Sequence, residues 1–279
     1  MTDPRSCSPD EIEALLRLSW DSRTLDPREA ERLARQALAI LEKRLYQARP
    51  TPSDHDLRAR AWIYVANSQR IRNELALAEE ALAKAEEILC QGTHSPLLRA
   101  ELLLIEAGVL RDRRDLIKAQ EKLDQVVAIH RWHGDPHRLG LTLLSKANLL
   151  YTAGSPEESI RCLEEAAGLL DFEKDPWAQH SLLQCRALYL NEIGRTTEAK
   201  ALLPAVREVT AQVGTGRDRL RVRWLEGLVA KSEGASEEAI SKLQEVRAAC
   251  LAEGIDYDAA LDSLDLAVLY LGENRTAET

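Results

Sequence analysis

The feature that most constrains this chain is a set of glycines repeated every 40 residues. Gly154, Gly194 and Gly234 share that spacing, and each precedes a polar segment and then an amphipathic stretch. Glycine ends helices because it adopts the left-handed backbone conformation at little cost, and a Ser, Thr or Asp just after it can cap the next helix, with Glu near the third position. The pattern therefore predicts one helix-to-helix turn made three times.

The same turn position continues on either side of these glycines. One period later it holds Asn274, and earlier periods hold Arg114 and, after a step of 41 residues, Asn73. Only Arg114 is a poor fit, because its Cβ atom disfavours the left-handed conformation. A second series lies 20 residues out of phase and predicts the other turn of each hairpin. Its members are Gly134, Lys174, Gly214 and Gly254.

Small and large apolar residues repeat with the same period inside the expected helices. In each second helix a small residue is followed four residues later by leucine, which places both on one face, as in helices that pack closely against a neighbour. The small residues are Ala78, Ala119, Ser159, Ala199 and Ala239, and the leucines are Leu82, Leu123, Leu163, Leu203 and Leu243. The small residues of the first helices are Ala66, Ala107, Ala147, Ala187, Gly227 and Ala267.

These positions resemble the tetratricopeptide repeat family, whose small-residue positions match Ala147, Ser159, Leu163 and Ala166. The resemblance covers residues 59–279. It implies an all-α, right-handed solenoid of helical hairpins with about 13 helices. The period is longer than the family's usual one, which indicates longer helices, as in the kinesin light chain and some peptide-binding bacterial regulators.

The predicted organisation is a single continuous domain. Residues 1–57 are expected to form an irregular helical hairpin, with helices at about 10–20 and 26–47, followed by a linker. Residues 58–279 are expected to form five repeats and a half repeat. The Pro-rich segment 49–54 is expected to be an extended loop and not a domain boundary, because the hairpin before it must dock on the next repeat to bury its apolar stripe.

The half repeat at 257–279 is expected to expose apolar surface, because the second helix that would cover it should begin only at Thr279. The exposed residues are predicted to be Leu261, Leu264, Leu266, Val268 and Leu269. Solenoids normally end with a polar capping helix. The sequence therefore suggests contact with a partner or a second copy, or truncation from a longer protein. The alternative is a last helix that packs on its predecessor and tolerates exposure.

Composition narrows the classes of function. Asp and Glu number 46 against 37 Lys and Arg, so the net charge of −9 argues against broad nucleic-acid binding. No apolar run is long enough to span a membrane and the first residues lack a secretory signal, so we expect a cytoplasmic protein without membrane partners. The five cysteines form no C-x-x-C pair, which favours reduced, mostly buried thiols. Cys90, Cys162 and Cys250 lie in apolar helical stretches.

The sequence contains none of the common catalytic signatures. A Gly-rich phosphate loop, H-E-x-x-H and G-x-S-x-G are missing. His130, His133 and His137 form the only imidazole cluster. Zinc binding and stabilisation of a helix C-terminus both explain such a cluster, and the second is favoured because Gly134 breaks the ligand geometry. We therefore predict no cofactor, no metal and no catalysis; a cryptic enzyme site is the remaining alternative.

The resemblance also implies a ligand face. In this family the first helices line the concave side of the solenoid, and four positions of each point into the groove. The candidate binding residues at these positions are Arg60, Asn67, Arg70, Arg111, Leu144, Asn148, Tyr151, Asn191, Arg221 and Trp224. Asn can bond a ligand's backbone amide, Arg recognises carboxylates, and the apolar side chains provide anchors. Solvated arginines and ordinary packing between repeats are the structural alternatives for the same residues.

The predicted function is a non-catalytic adaptor that binds a peptide or protein segment in its groove, in a bacterial regulatory or signalling complex. The alternative is a peptide-responsive sensor that controls an output domain or a partner enzyme, such as a protease or a transcription regulator.

Overall fold

The computed structural model describes residues 9–47 and 49–273 and divides into two compact units, Met1–Asp135 and Pro136–Thr279. Unit 1 contains α1 (Pro9–Ser22), α2 (Pro27–Gln47), α3 (Pro52–Ile71), α4 (Leu75–Leu89), α5 (Pro96–Asp112) and α6 (Leu116–His133). Unit 2 contains α7 (Pro136–Thr152), α8 (Pro156–Ala167), α9 (Pro176–Glu192), α10 (Thr196–Val213), α11 (Gly216–Ser232), α12 (Ser236–Ala252) and α13 (Asp256–Gly272). The prediction of an all-α chain with about 13 helices is confirmed for the described residues.

Consecutive helices pair as hairpins, and the first helices of neighbouring hairpins also touch within each unit. In unit 1 the hairpins are α1 with α2, α3 with α4 and α5 with α6, and α3 contacts both α1 and α5. In unit 2 they are α7 with α8, α9 with α10 and α11 with α12, while α9 contacts α7 and α11, and α13 packs on α12. A residue on a first helix can therefore bond its counterpart one hairpin later.

Left-handed glycines close the turn inside each hairpin of unit 2. Gly154, Gly194 and Gly234 have φ values of 82°, 79° and 79°. The residue after each glycine donates its N–H to a carbonyl five positions earlier, as from Ser155 N to Leu150 O at 2.9 Å. This bond is the mark of a Schellman turn, which satisfies the last carbonyls of the first helix. The predicted 40-residue turn is confirmed.

The caps predicted after these glycines are not made. Helices α10 and α12 begin at Thr196 and Ser236, so the expected capping residues already lie inside the helix and Arg195 and Ala235 occupy the N-cap positions. Ser155 does occupy the N-cap of α8, yet its side chain accepts no capping hydrogen bond. The prediction was wrong because the Schellman turn is compact: the next helix begins only two residues after glycine.

The remaining turn positions differ in conformation. Asn73 and Arg114 adopt φ values of 62° and 65°, so even the poor fit at Arg114 is tolerated. Gly134 and Gly254 are also left-handed, at 68° and 70°. Gly214 has a φ of −79° and a ψ of 151°, an extended conformation, because the chain enters α11 through a capping box instead of a Schellman turn. Asn274 lies outside the described residues.

The segment expected to be an extended linker is helical from Pro52 onward. The Thr51 hydroxyl accepts from Asp54 N and the Asp54 carboxylate accepts from Thr51 N, a reciprocal capping box that starts α3. Thr-Pro-Ser-Asp is a favourable helix start because proline fits the first turn. The linker prediction was therefore wrong from Pro52 onward, and position 57 lies inside α3.

The repeated small and large residues form the core of each unit, as predicted. The small residues of the second helices, Ala78, Ala119, Ser159, Ala199 and Ala239, are all fully buried. Gly227 shows why: a Cβ atom added there would lie 3.0 Å from Leu243 Cδ2 on the paired helix. Among the cysteines, Cys250 is buried and Cys162 is half-buried, but Cys90 is exposed because it follows α4 at the helix end.

Helix α13 is apolar on two sides. Leu266 and Leu269 are buried against α12, which corrects the prediction that they are exposed. Leu261, Leu264 and Val268 are exposed as predicted. The difference arises because a helix packed on one neighbour buries one stripe only.

The buried side of α13 also holds a carboxyl group, Asp262, which is only 2% exposed and has one oxygen without a hydrogen-bond partner. Burial raises the pKa of Asp262 to about 6, and the charges of Asp265 and Asp258 raise it further. A hydrogen bond with the Cys250 thiol and the charge of Arg247 act in the opposite direction. Ionised Asp262 is thus disfavoured in the folded chain.

We predict that Asp262→Asn stabilises unit 2 above pH 6 and changes its stability little near pH 4. The pKa of Asp262 is about 6 when folded, against roughly 3.9 in an unfolded chain. Between these values the folded state holds the extra proton, so the free energy of unfolding falls as pH rises and stays lowered above pH 6. The amide removes this penalty, which we expect to be about 1–2 kcal/mol because solvent screens part of it.

The measurement is thermal unfolding followed by circular dichroism at pH 4.0 and pH 8.0. Asp256→Asn, at the exposed start of the same helix, is the control and should give no such gain at pH 8.0. Equal stability changes at both pH values for Asp262→Asn would contradict the prediction.

Candidate ligand-binding face

In unit 1 the predicted arginines pair with carboxylates one repeat later. Arg60 Nε donates to Glu101 Oε2 at 3.0 Å, and Arg70 Nη1 donates to Asp112 Oδ2 at 3.0 Å. The partners are 41 and 42 residues apart, so each bond joins α3 to the next first helix, α5. These two arginines hold the first helices together.

The other two candidates of unit 1 belong to the same network. Asn67 is buried, and its side-chain oxygen accepts from Arg70 Nη2 at 3.0 Å and from Arg70 Nε at 3.3 Å. Arg111 donates to Asp112 Oδ1 from Nη2 at 2.8 Å and from Nε at 3.0 Å. A ligand carboxylate would have to displace Asp112 or Glu101 to reach these arginines.

In unit 2 the corresponding position is filled by an aromatic pair. The Asn148 side-chain oxygen accepts from Tyr189 OH at 2.5 Å and from Cys185 Sγ at 3.5 Å. The Tyr151 ring stacks on Tyr189, with centroids 4.2 Å apart and an interplanar angle of 17°. Asn148 and Tyr189 are again 41 residues apart. Predicted ligand residues on α7 therefore bond α9.

The polar groups of this cluster stay protonated near neutral pH. Burial raises the pKa of Tyr151 to about 12, and the charges of Glu192 and Asp265 act in the same direction. Burial also raises the pKa of the Cys185 thiol, and of Cys162 elsewhere in the unit. A protonated thiol is a poor nucleophile, so these groups are suited to donating hydrogen bonds.

Three more predicted residues of unit 2 have structural contacts. Trp224 Nε1 donates to Asp265 Oδ2 at 2.9 Å, which joins α11 to α13. Asn191 is buried, and its amide donates to Leu228 O at 3.5 Å. Leu144, expected as an exposed apolar anchor, is buried with 7% of its surface accessible. Its shape contributes to the core in this structure.

Arg221 differs from the other candidate arginines. It is exposed on α11, and within the described residues it forms no ion pair. Its positive charge contributes to lowering the pKa of both His180 and Cys185, which places the guanidinium beside α9. Arg221 is therefore the candidate cation that is free to meet a ligand.

His180 is a residue of this face that the sequence analysis missed. It is 1% exposed, and neither ring nitrogen has a hydrogen-bond partner. The ring stacks on Trp177, with centroids 4.8 Å apart. Burial lowers the pKa of His180; the charge of Asp218 opposes this shift and that of Arg221 adds to it. The imidazole is thus held neutral next to Arg221.

The sequence did carry a signal for these partners. Bonds between successive first helices join residues one repeat plus one position apart, and Arg217 with Asp258 at 2.8 Å is a further example. Adding 41 to Arg60, Asn148 or Trp224 gives the bonded partner directly. The same addition takes His180 to Arg221.

The predicted histidine cluster is divided between the two units. In unit 1, His130 is buried and the exposed His133 packs edge-on against Trp132 with centroids 4.9 Å apart. In unit 2, His137 Nδ1 accepts from Asp171 N at 3.2 Å. Within residues 9–47 and 49–273, His, Cys, Asp and Glu side chains form no group of three that could hold a metal ion. Nor does any described helix have the length and apolarity needed to cross a membrane.

Comparison with known proteins shows likeness in structure alone. No family model and no curated protein matches this sequence. A Rap protein solved in complex with competence and sporulation factor is 14% identical, with a TM-score of 0.75 over 96% of this chain and 73% of that one. Aspartyl phosphate phosphatase F from Bacillus subtilis is 13% identical, with a TM-score of 0.69 over 96% and 67% of the two chains.

A third similar structure is a signal transduction ATPase with numerous domains, from Pyrococcus horikoshii, that carries a tetratricopeptide repeat sensor. It is 17% identical, with a TM-score of 0.63, and the match covers 95% of this chain but only 39% of that protein. Repeated hairpins, buried small residues and these likenesses together show that the chain has the tetratricopeptide-repeat-like helical solenoid fold.

Proposed function

We propose that unit 2 binds a peptide segment of a partner on the face formed by α7, α9 and α11, without catalysis. The observation that carries this proposal is the exposed Arg221, which is unpaired among the described residues and lies beside a buried histidine that lacks hydrogen-bond partners. The other arginines predicted for binding already pair with carboxylates. Arg221 alone can accept a ligand carboxylate without breaking an ion pair.

The chemistry around Arg221 favours an acidic peptide. A guanidinium binds a carboxylate through two parallel hydrogen bonds, which gives both strength and orientation. On α9, Ser181 and Gln184 are partly exposed and offer hydrogen bonds to a peptide backbone. On α7, the partly exposed Tyr151 ring offers an apolar contact. The proposed ligand therefore carries an Asp, a Glu or a free C-terminus.

The likeness to solved structures supports a binding role. The Rap protein of the same fold was solved with competence and sporulation factor bound. The protonated thiols of Cys162 and Cys185 also favour binding over covalent chemistry. We propose that this chain acts as an adaptor in a regulatory complex in the cytoplasm, with a protein or peptide partner and no nucleic-acid or membrane partner.

A sensor that controls an output domain is the second candidate. It is favoured by the likeness to the signal transduction ATPase, in which such repeats serve as a sensor within a longer protein. In that role the same Arg221 face would bind the signal, and movement between hairpins would carry it to the output. The ligand chemistry is the same in both cases.

We predict that an array of random ten-residue peptides, probed with the purified chain, retains sequences enriched in Asp, Glu or a free C-terminus. For the best of these, Arg221→Ala should weaken binding at least tenfold by fluorescence anisotropy, because a charge-assisted pair is lost. Arg223→Ala is the matched control: Arg223 is also exposed on α11 but pairs with Glu245 of α12, so binding should change less than twofold.

Two results would overturn this proposal. The first is an array without enrichment for acidic peptides. The second is an enriched peptide whose affinity is the same for Arg221→Ala as for the wild type. A thermal shift on peptide binding, measured for the wild type and both variants, separates weak binding from loss of folding.

A further inference from the structure

The last helix exposes a continuous apolar stripe. Leu261, Leu264, Val268 and Leu271 are 41%, 63%, 49% and 58% exposed. They follow one another at steps of three, four and three residues, which is the spacing of one seam in a pair of supercoiled helices. A single exposed leucine needs no explanation, but four in register on one helix indicate a docking surface. We call these four residues the α13 stripe.

The fold indicates that the occupant of the stripe is a helix. In α11, Gly227 occupies the position where the paired helix approaches most closely, with Leu243 against it. The equivalent residue of α13, one repeat later, is Ala267, which is small and partly exposed. No second helix covers α13 within the described part of the chain. A helix laid here would therefore meet a small residue beside four large ones, the arrangement on which the earlier hairpins are built.

Charge distinguishes between possible helices. Helix α13 contains Asp256, Asp258, Asp262 and Asp265 and neither Lys nor Arg. Arg217 of α11 pairs with Asp258, which leaves the helix with a negative charge. The α13 of a second copy would bring the same aspartates and be repelled, since like charges across a helix seam are destabilising. A helix with Lys and Arg beside its apolar seam would be attracted.

We propose that the α13 stripe binds an amphipathic helix of a partner protein, with leucine-like residues at coiled-coil spacing and basic residues on both sides of them. Four side chains form a small interface, well below the roughly 800 Å² per partner of a stable complex, so this contact is transient or adds to a second one. The inference stands on α13 alone and is independent of the ligand face at Arg221.

The test uses designed 21-residue peptides and the full chain. The first peptide has Leu at the two seam positions of each heptad and Lys beside them, and the second replaces every Lys by Glu. A third has the composition of the first with its leucines scattered around the helix. By fluorescence anisotropy at 50 mM salt we expect the first peptide to bind at least tenfold more tightly than either of the others.

Variants locate the site. Leu264→Glu should weaken binding of the first peptide at least tenfold, whereas Ile117→Glu, at a 77% exposed position on α6, should change it less than twofold. Leu264→Ser should weaken binding in the same direction, and an unchanged circular dichroism spectrum shows that the variants fold. Equal binding of the ordered and scattered peptides, or no effect of Leu264→Glu, would overturn the proposal.

Sedimentation equilibrium tests the rival occupant. We expect the wild-type chain to be monomeric at micromolar concentration. A dimer that Leu264→Glu converts to a monomer would show that the stripe binds a second copy and would also overturn the proposal.

Discussion

Glu31→Ala is expected to lower the free energy of unfolding of unit 1 by about 3–5 kcal/mol, because it breaks a buried charge network. Glu31 is 8% exposed on α2, and Arg35 and Arg72 each reach a carboxylate oxygen at 2.6 Å. Gln69, which is also buried, donates to the same carboxylate at 3.2 Å. Removing Glu31 leaves Arg72 and Gln69 of α3 with unsatisfied donors that water reaches poorly.

Glu29 provides the matched control for this prediction. It lies on the same helix and pairs with Arg32 at 2.6 Å, but the pair is exposed to solvent. Glu29→Ala should therefore cost less than about 1 kcal/mol. Urea unfolding gives the size of each effect, and hydrogen exchange should place the loss for Glu31→Ala in α2 and α3. A cost for Glu31→Ala no larger than that for Glu29→Ala would refute the role of burial.

Leu243→Ala is expected to destabilise unit 2 by about 2–5 kcal/mol, the cost of a cavity in a core that cannot collapse around it. Leu243 is fully buried on α12, in a cluster with Ile240, Leu266, Leu269 and Tyr270. The cluster joins the last complete hairpin to α13. The measurement is urea unfolding, and hydrogen exchange in α12 and α13 should rise together.

A second substitution tests the close packing that the repeat requires. Gly227→Ala in the wild-type chain adds a methyl group 3.0 Å from Leu243, so its gain in helix propensity is opposed by crowding. In the Leu243→Ala background that crowding is absent. We expect Gly227→Ala to be more favourable there, by about 0.5–1 kcal/mol. Equal effects in both backgrounds would mean that the two helices do not constrain each other at this position.

The ligand face and the α13 stripe illustrate two uses of the same repeat positions. In unit 1, Arg60 and Arg70 join first helices to one another through Glu101 and Asp112. In unit 2, Arg221 at an equivalent position has no such partner among the described residues. In α13 these positions are all apolar. A polar ladder closes the surface between repeats, and its interruption creates a binding surface.

The predictions from sequence failed where a local signal competed with a neighbouring one. The capping residues after Gly194 and Gly234 fell one position inside the next helix, because the Schellman turn consumes fewer residues than a separate cap needs. The two prolines near Thr51 suggested an extended loop, although proline in the first turn starts a helix equally well. Cys90 lies in an apolar stretch but faces solvent because α4 ends there.

The sequence alone determined the hairpins, their period and the small residues between helices. These follow from requirements on single residues: a left-handed turn favours glycine, and close helix contact excludes large side chains. The tertiary structure alone decided which polar groups are free. Arg60 and Arg221 occupy the same repeat position, yet only the three-dimensional neighbours show that one is paired and the other exposed. Pairing depends on distances between helices 41 residues apart, which periodicity aligns but does not measure.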